Sequence, residues 1–107
     1  LYNTFIIRRE QVIYSSLARS KITGGKIAGL HLKNIFYSQT EYLEYQKALS
    51  SALATQKETV VEYKICETSF VALIIPYDAE TAEVREYKIV PPRKINDIVR
   101  WLKSGTC

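Results

Sequence analysis

The chain reads as an α+β domain: a five-stranded antiparallel sheet with helices packed on one face, followed by a C-terminal amphipathic helix. Three observations predict this. Runs of β-branched and aromatic residues lie on both sides of one long helical stretch. That stretch carries its own start signal. The three runs after it are joined by connections short enough to make them antiparallel neighbours. Two strands before a helix and three after it segregate helix from sheet, so the first hairpin must rejoin the last strands to complete five.

The first strand is Thr4-Phe5-Ile6-Ile7 and the second Val12-Ile13-Tyr14, with Arg8-Arg9-Glu10-Gln11 as a polar turn between them. The turn lacks the Asn-Gly or Asp-Gly pair that favours a two-residue hairpin. A short helix is expected around residues 17–21, and Gly24-Gly25 then breaks the chain. One or two helical turns follow, anchored by Ile27, Leu30, Leu32, Ile35 and Phe36, with Gly29 allowing a close approach or a positive φ.

The long helix starts at Ser38. That serine and Glu41 form an S-x-x-E capping box, and Tyr37 and Tyr42 are placed to make a hydrophobic staple. Tyr42, Tyr45, Leu49, Ala52 and Leu53 recur at helical spacing, while Glu44, Lys47 and Ser51 fall off the stripe. Lys57 suits the negative end of the helix dipole. About four turns result.

Residues 59–66 alternate, with Val61, Tyr63 and Ile65 on one face and Glu62 and Lys64 on the other. Residues 68–77 are apolar on both faces, as in a central strand, and Pro76 marks its end or a bulge. Residues 78–81 form the next turn, 83–90 the fifth strand, and Pro91-Pro92 stops it. Ile95, Ile98, Val99 and Leu102 then follow i, i+3, i+4, i+7 spacing in a short helix leaving the domain.

Bulk properties narrow the function. At 107 residues the chain holds one core. The net charge of +4 is spread along the sequence, so a solvated mixed surface is expected rather than a nucleic-acid site. No apolar run approaches the roughly 20 residues that cross a bilayer, and the amino end does not resemble a signal peptide. The first residue is Leu, which suggests a piece of a longer protein. Cys66 and Cys107 form neither a disulfide framework nor a metal motif, and a reducing, cytoplasmic setting is expected.

Catalytic chemistry finds little to stand on. His31 is the one histidine, no serine lies in a G-x-S-x-G context, and a structural role for His31 is expected. There is no phosphate loop; Gly24-Gly25-Lys26 is a turn. Clustered metal ligands are absent from the sequence, so no metal site is predicted. Eight tyrosines invite a base-stacking platform, for which Tyr63 with Lys64, and Tyr87 with Arg85 and Lys88, are the hints. Core packing with hydroxyls at the rim explains tyrosines equally well.

Several strings, in order, resemble a PAS domain, a sensory module of about this length. FIIRREQVIYSS matches its opening strand, turn and second strand. KIAGLHLKNIF matches an "eliGk-x-l-x-dlf" segment through Gly29, Leu32, Ile35 and Phe36. EYQKALSSAL has the rhythm of the family's long helix, ETVVEYKI that of its next strand, and SFVALIIPYDAETAEVREYKIV that of its last hairpin, Pro76 and Asp78 included. The resemblance spans about residues 4 to 90. Ser15 or Ser16 stands in place of a common asparagine, and the glycines frequent in the first hairpin, after the long helix and in the last hairpin are missing.

The resemblance implies a sensory and protein-interaction domain, residues 1–92, with 93–107 a helical linker toward an output domain. Haem-binding members usually take an axial histidine from the long helix, which has none here. The flavin photoadduct branch needs a cysteine in an "NCRFLQ"-like string, and HLKNIFY lacks one. No cofactor is therefore predicted, while a small-molecule ligand remains open, with pocket walls expected from Tyr45, Leu49, Tyr63, Ile65 and Leu73. Ile95, Ile98, Val99 and Leu102 bury against the sheet or pair with a second copy; with Trp101 beside them they are the expected interface, and a homodimer through the terminal helix or the sheet is expected. The alternative is a different α+β binding module using its sheet face for a protein or nucleic-acid partner. No enzymatic step is expected within the domain.

Overall fold

The computed structural model describes residues 2–16, 28–35, 39–65, 68–89 and 95–104. The elements are β1 (Asn3–Arg8), β2 (Gln11–Ser15), a 3-10 turn (Leu32–Ile35), α1 (Gln39–Thr55), β3 (Thr59–Ile65), β4 (Thr68–Pro76), β5 (Thr81–Lys88) and α2 (Ile95–Ser104). The expected helix at 17–21, the Gly24-Gly25 break, the anchors Ile27 and Phe36, Tyr37 and Ser38 of the capping motif, and both cysteines lie outside the described residues.

The five strands form one antiparallel sheet in the order β2-β1-β5-β4-β3. β1 pairs with β5 from Asn3↔Glu86 to Arg8↔Thr81, so the first hairpin does rejoin the last. β5 begins at Thr81, two residues earlier than the pattern indicates, because Asp78 closes the turn. Its Oδ1 accepts from the amides of Glu80 and Thr81, both at 2.8 Å.

Side-chain alternation sends two sets of residues to two faces. Phe5, Ile7, Val12, Val61, Tyr63, Phe70, Ala72, Ile74, Ala82 and Val84 face α1, which contributes Tyr45, Leu49 and Ala52. Val71 and Leu73 face the other way and are covered by Ile98 and Leu102 of α2, with Tyr87, Ile89 and Val99 at the margin. Both faces of β4 are thus covered. Of the two alternatives for the terminal helix, burial against the sheet is the one seen, and helices lie on both faces where one face was expected, since β4 is apolar on both sides and needs two covers.

Gly29 adopts a φ of 92°, and a Cβ there would meet no atom within 4 Å. Of the two sequence readings, conformation rather than close approach explains it. Three further positions take positive φ without glycine: Arg9 (51°), Glu10 (63°) and Gln56 (54°). Arg9 and Glu10 are the two loop residues of the first hairpin, with Arg8 opposite Gln11, the pattern of a type I′ turn. Gln56 follows the last residue of α1, and its side-chain amide donates to the Leu53 carbonyl at 2.8 Å and the Asp78 carbonyl at 3.0 Å. It closes the helix end, and Lys57 follows one residue later, just beyond the last turn.

Replacing Gly29 with Ala should cost about 1–2 kcal/mol from backbone strain alone. Urea unfolding would show this as a lower midpoint with an unchanged slope.

Candidate functional site

β5 brings together the chemistry that stands out in this fold, because its alternating residues put polar groups on both faces. On the α1 side Glu86 is fully buried beside Val84. Burying a carboxyl costs several kcal/mol unless donors surround it. Donors are present: the Asn3 amide lies 3.2 Å from Oε1, and the Tyr63 hydroxyl donates to Oε2. Asn3 sits directly across the β1–β5 ladder from Glu86. Tyr63 reaches over from β3 because Ala72, opposite Glu86 on β4, leaves room.

The same tyrosine anchors an aromatic cluster. Its ring stands edge-on to Tyr45 at 5.1 Å and stacks on Phe70 at 5.8 Å. Beside them, at the β3 edge, a cleft of about 180 Å³ is lined by Glu41, Glu62, Tyr63, Lys64, Ser69 and Phe70. That is below the roughly 300 Å³ of drug-sized pockets, so it suits only a small molecule or part of one.

On the α2 side, Glu83 and Arg85 alternate with these inward residues. The Arg85 Nε donates to Glu83 Oε2 at 2.7 Å, while its Nη1 donates to the Leu102 carbonyl at 2.9 Å near the end of α2. Its guanidinium also lies 5.9 Å from the Tyr2 ring centre. Tyr77, half-exposed, donates its hydroxyl to Glu83 Oε1. Burial pushes the Glu83 carboxyl up, but the hydrogen bonds from Tyr77 and Arg85 and the Arg85 charge outweigh it, holding it below the usual range. The bond to Glu83, with burial and that carboxylate's charge, holds the Tyr77 hydroxyl above the usual range despite Arg85. Arg85 therefore joins β5 to a backbone carbonyl that a helix end leaves without an intrahelical donor.

Tyr45, Leu49 and Tyr63 of the predicted pocket are brought together between α1 and the sheet. The side chain of Ile65 lies outside the described residues. Leu73 is a correction: it lies on the opposite face under α2, because Phe70, Ala72 and Ile74 take the inner positions of β4. Of the predicted interface, Ile98 and Leu102 are 1% and 0% exposed and already spent on their own sheet. Val99 packs at their margin, and the side chains of Ile95 and Trp101 lie outside the described residues.

The base-stacking hints come apart. Tyr63 is buried on one face while Lys64 is exposed, and Arg85 and Tyr87 are engaged at the α2 contact. His31 Nδ1 accepts from the Lys33 amide at 3.2 Å, a local cap of the 3-10 turn. Among the described residues no group of three potential ligands is arranged to hold a metal, and no helix is long and apolar enough to cross a membrane. Asn3, Glu83 and Glu86 were not singled out as site residues from the sequence, since the i, i+2 alternation of β5 reads there only as charge on a strand.

No family model matches the chain, and no curated protein matches it. Among solved structures, a domain of an HTR-like protein from Haloarcula marismortui ATCC 43049 is similar, with a TM-score of 0.72 and 14% identity. The match covers 83% of this chain and 98% of that one. At this identity the likeness is one of fold, and it is consistent with a PAS-like arrangement.

Tyr63→Phe removes one hydrogen bond to a buried carboxyl and should cost about 1–3 kcal/mol, measured by chemical unfolding. The Glu83 contact carries a pH dependence of definite sign. Its folded pKa is depressed, so its contribution is present above the unfolded value of about 4.3 and is lost as pH falls through the lower folded value. Wild-type stability should therefore drop more steeply below about pH 4.3 than that of Glu83→Gln, as read from unfolding curves over an acid series.

Proposed function

We propose that this chain is a PAS-like sensory and interaction domain of a larger cytoplasmic signalling protein. In this reading a small ligand or partner engages the helix–sheet interior near Tyr45, Tyr63 and Phe70, and the response is a shift in how α2 packs on the other face. Residues 1–92 form the sensing part and 93–107 the linker to an output domain. No residue of the domain is assigned a catalytic step, and neither haem nor flavin is assigned a site.

The observation that carries the reading is the two-sided cover of β4 and the polar contacts that β5 makes on both of its faces. Glu86 and Arg85 are consecutive residues, one tied to Tyr63 in the interior and the other to the carbonyl of Leu102 in α2. A change in the interior that moves β5 must move the Arg85 anchor as well, because a packed sheet does not deform locally without cost. The ordered sequence strings and the fold likeness add support from independent directions.

A second reading has its own observation. Ile13 and Tyr14 are 53% and 52% exposed on β2. A binding module could present them to a protein partner without any ligand.

Native mass spectrometry on freshly purified protein, followed by amide exchange, separates the two readings. The sensory reading expects a small bound mass that is lost on denaturation and that alters exchange in α2. A ligand that binds while α2 exchange stays fixed would overturn the coupling. Arg85→Met should raise α2 exchange by about tenfold while leaving β4 protected, since a hydrogen bond from a charged donor is removed.

A further inference from the structure

The two edges of the sheet are treated differently. On β2 the outer edge is covered by residues 29–32. Val12 donates to the Leu30 carbonyl at 2.9 Å, Gly29 donates to the Val12 carbonyl at 2.6 Å, and Leu32 donates to the Glu10 carbonyl at 2.6 Å. β3 forms the opposite edge and has seven residues. The outward bond described there runs from the Lys64 amide to Glu41 Oε2 at 3.3 Å. That bond shows that the Lys64 amide points away from β4, and alternation sends the backbone groups of Glu62 and Val60 the same way. Exposed edges of this length are templates for a further strand unless something covers or repels it.

The side chains on this edge select the strand it can take. Glu62 and Lys64 are both exposed, and neither forms an ion pair among the described residues. In an antiparallel pairing with a second copy centred on Glu62, two glutamates oppose each other, and centred on Lys64, two lysines do. Centred on Val61, Glu62 faces the partner's Val60. Centred on Tyr63, Glu62 faces the partner's Lys64 and Lys64 faces the partner's Glu62. This register also satisfies the backbone, since it sets outward-pointing residues opposite one another as hydrogen-bonded pairs, with Tyr63 at the non-hydrogen-bonded position on the two-fold axis. Charges that discourage other pairings thus favour one.

We propose that two copies of this chain associate antiparallel through β3, Tyr63 opposite Tyr63, joining their sheets into one. The Lys64 amide exchanges Glu41 for the carbonyl of the partner's Glu62. The predicted dimer thereby acquires a specific surface, at the strand edge rather than the terminal helix. The paired edge also lines the cleft beside Tyr63, whereas α2 lies on β4 and β5, away from it, so oligomeric state tests this proposal and α2 exchange tests the sensing reading.

The test is a charge swap followed by sedimentation velocity over a concentration series. Wild type should show a monomer–dimer equilibrium. Glu62→Lys and Lys64→Glu should each raise the dissociation constant by about tenfold, since each turns two attractive cross-strand pairs into two repulsive ones. The double variant, Glu62→Lys with Lys64→Glu, should return it to near the wild-type value. Both positions are exposed, and circular dichroism checks that each variant is folded. A wild type that stays monomeric throughout the series overturns the proposal. So does a dimer indifferent to both single changes, or a double variant that fails to recover.

Discussion

The constraint on which this domain rests is that β4 is buried on both faces, with β5 buried on one and half-buried on the other. A strand in the middle of a half-exposed sheet needs one apolar side; β4 has two, with Phe70, Ala72 and Ile74 facing α1 and Val71 and Leu73 facing α2. Neither helix can be dispensed with unless apolar surface returns to water, at about 25 cal/mol for each Å² exposed. The sheet is therefore the partition between two cores, and the central strands are the only backbone that both cores share among the described residues.

Polar groups on such a partition are costly, which makes those on β5 informative. Glu86 is tolerated in the interior because Asn3 comes from the neighbouring strand and Tyr63 from two strands away. Arg85 is tolerated on the other side because Glu83 balances its charge and the end of α2 offers a carbonyl. Each cluster is satisfied by residues distant in sequence, so each constrains the relative placement of several elements at once. Removing one partner of such a cluster costs more than the cluster contributes, because the other group is left buried and unpaired.

Much of the fold was legible in the sequence. Periodicity located the long helix and the three strands after it, and the tight connections fixed their antiparallel order. What stayed hidden has physical causes. The parity of β4 could not be read, since both of its faces are apolar, and Leu73 was accordingly placed on the wrong side. Glu86 lies in a strand where Glu83 and Arg85 also carry charge, so no pattern marked it as buried. The missing glycines were visible, but their meaning was not: Arg9, Glu10 and Gln56 hold left-handed conformations themselves. Side chains offset that strain locally. Arg9 is paired with Glu80 at 2.6 Å, Glu10 accepts from the Tyr42 hydroxyl at 2.7 Å, and Gln56 caps the helix it ends. Such compensation depends on tertiary neighbours, which spacing along a chain does not show.

The scale of the α2 contact bears on the proposed shift in population. Two fully buried side chains, Ile98 and Leu102, contribute about 3–6 kcal/mol between them before the helix's ordering cost is met. The hydrogen bond from Arg85 to Leu102 adds about 1.5–3 kcal/mol at most, reduced by its partial exposure to solvent. A term of that size against a net contact of similar magnitude can change the docked fraction by an order of magnitude. The core beneath α1 is different: more side chains are fully buried there, and no single polar bond competes with them. The sheet therefore separates a larger buried cluster under α1 from a smaller one under α2. In the proposed coupling, Arg85, joined through one peptide bond to the interior carboxyl Glu86, is the residue through which the first would bias the second.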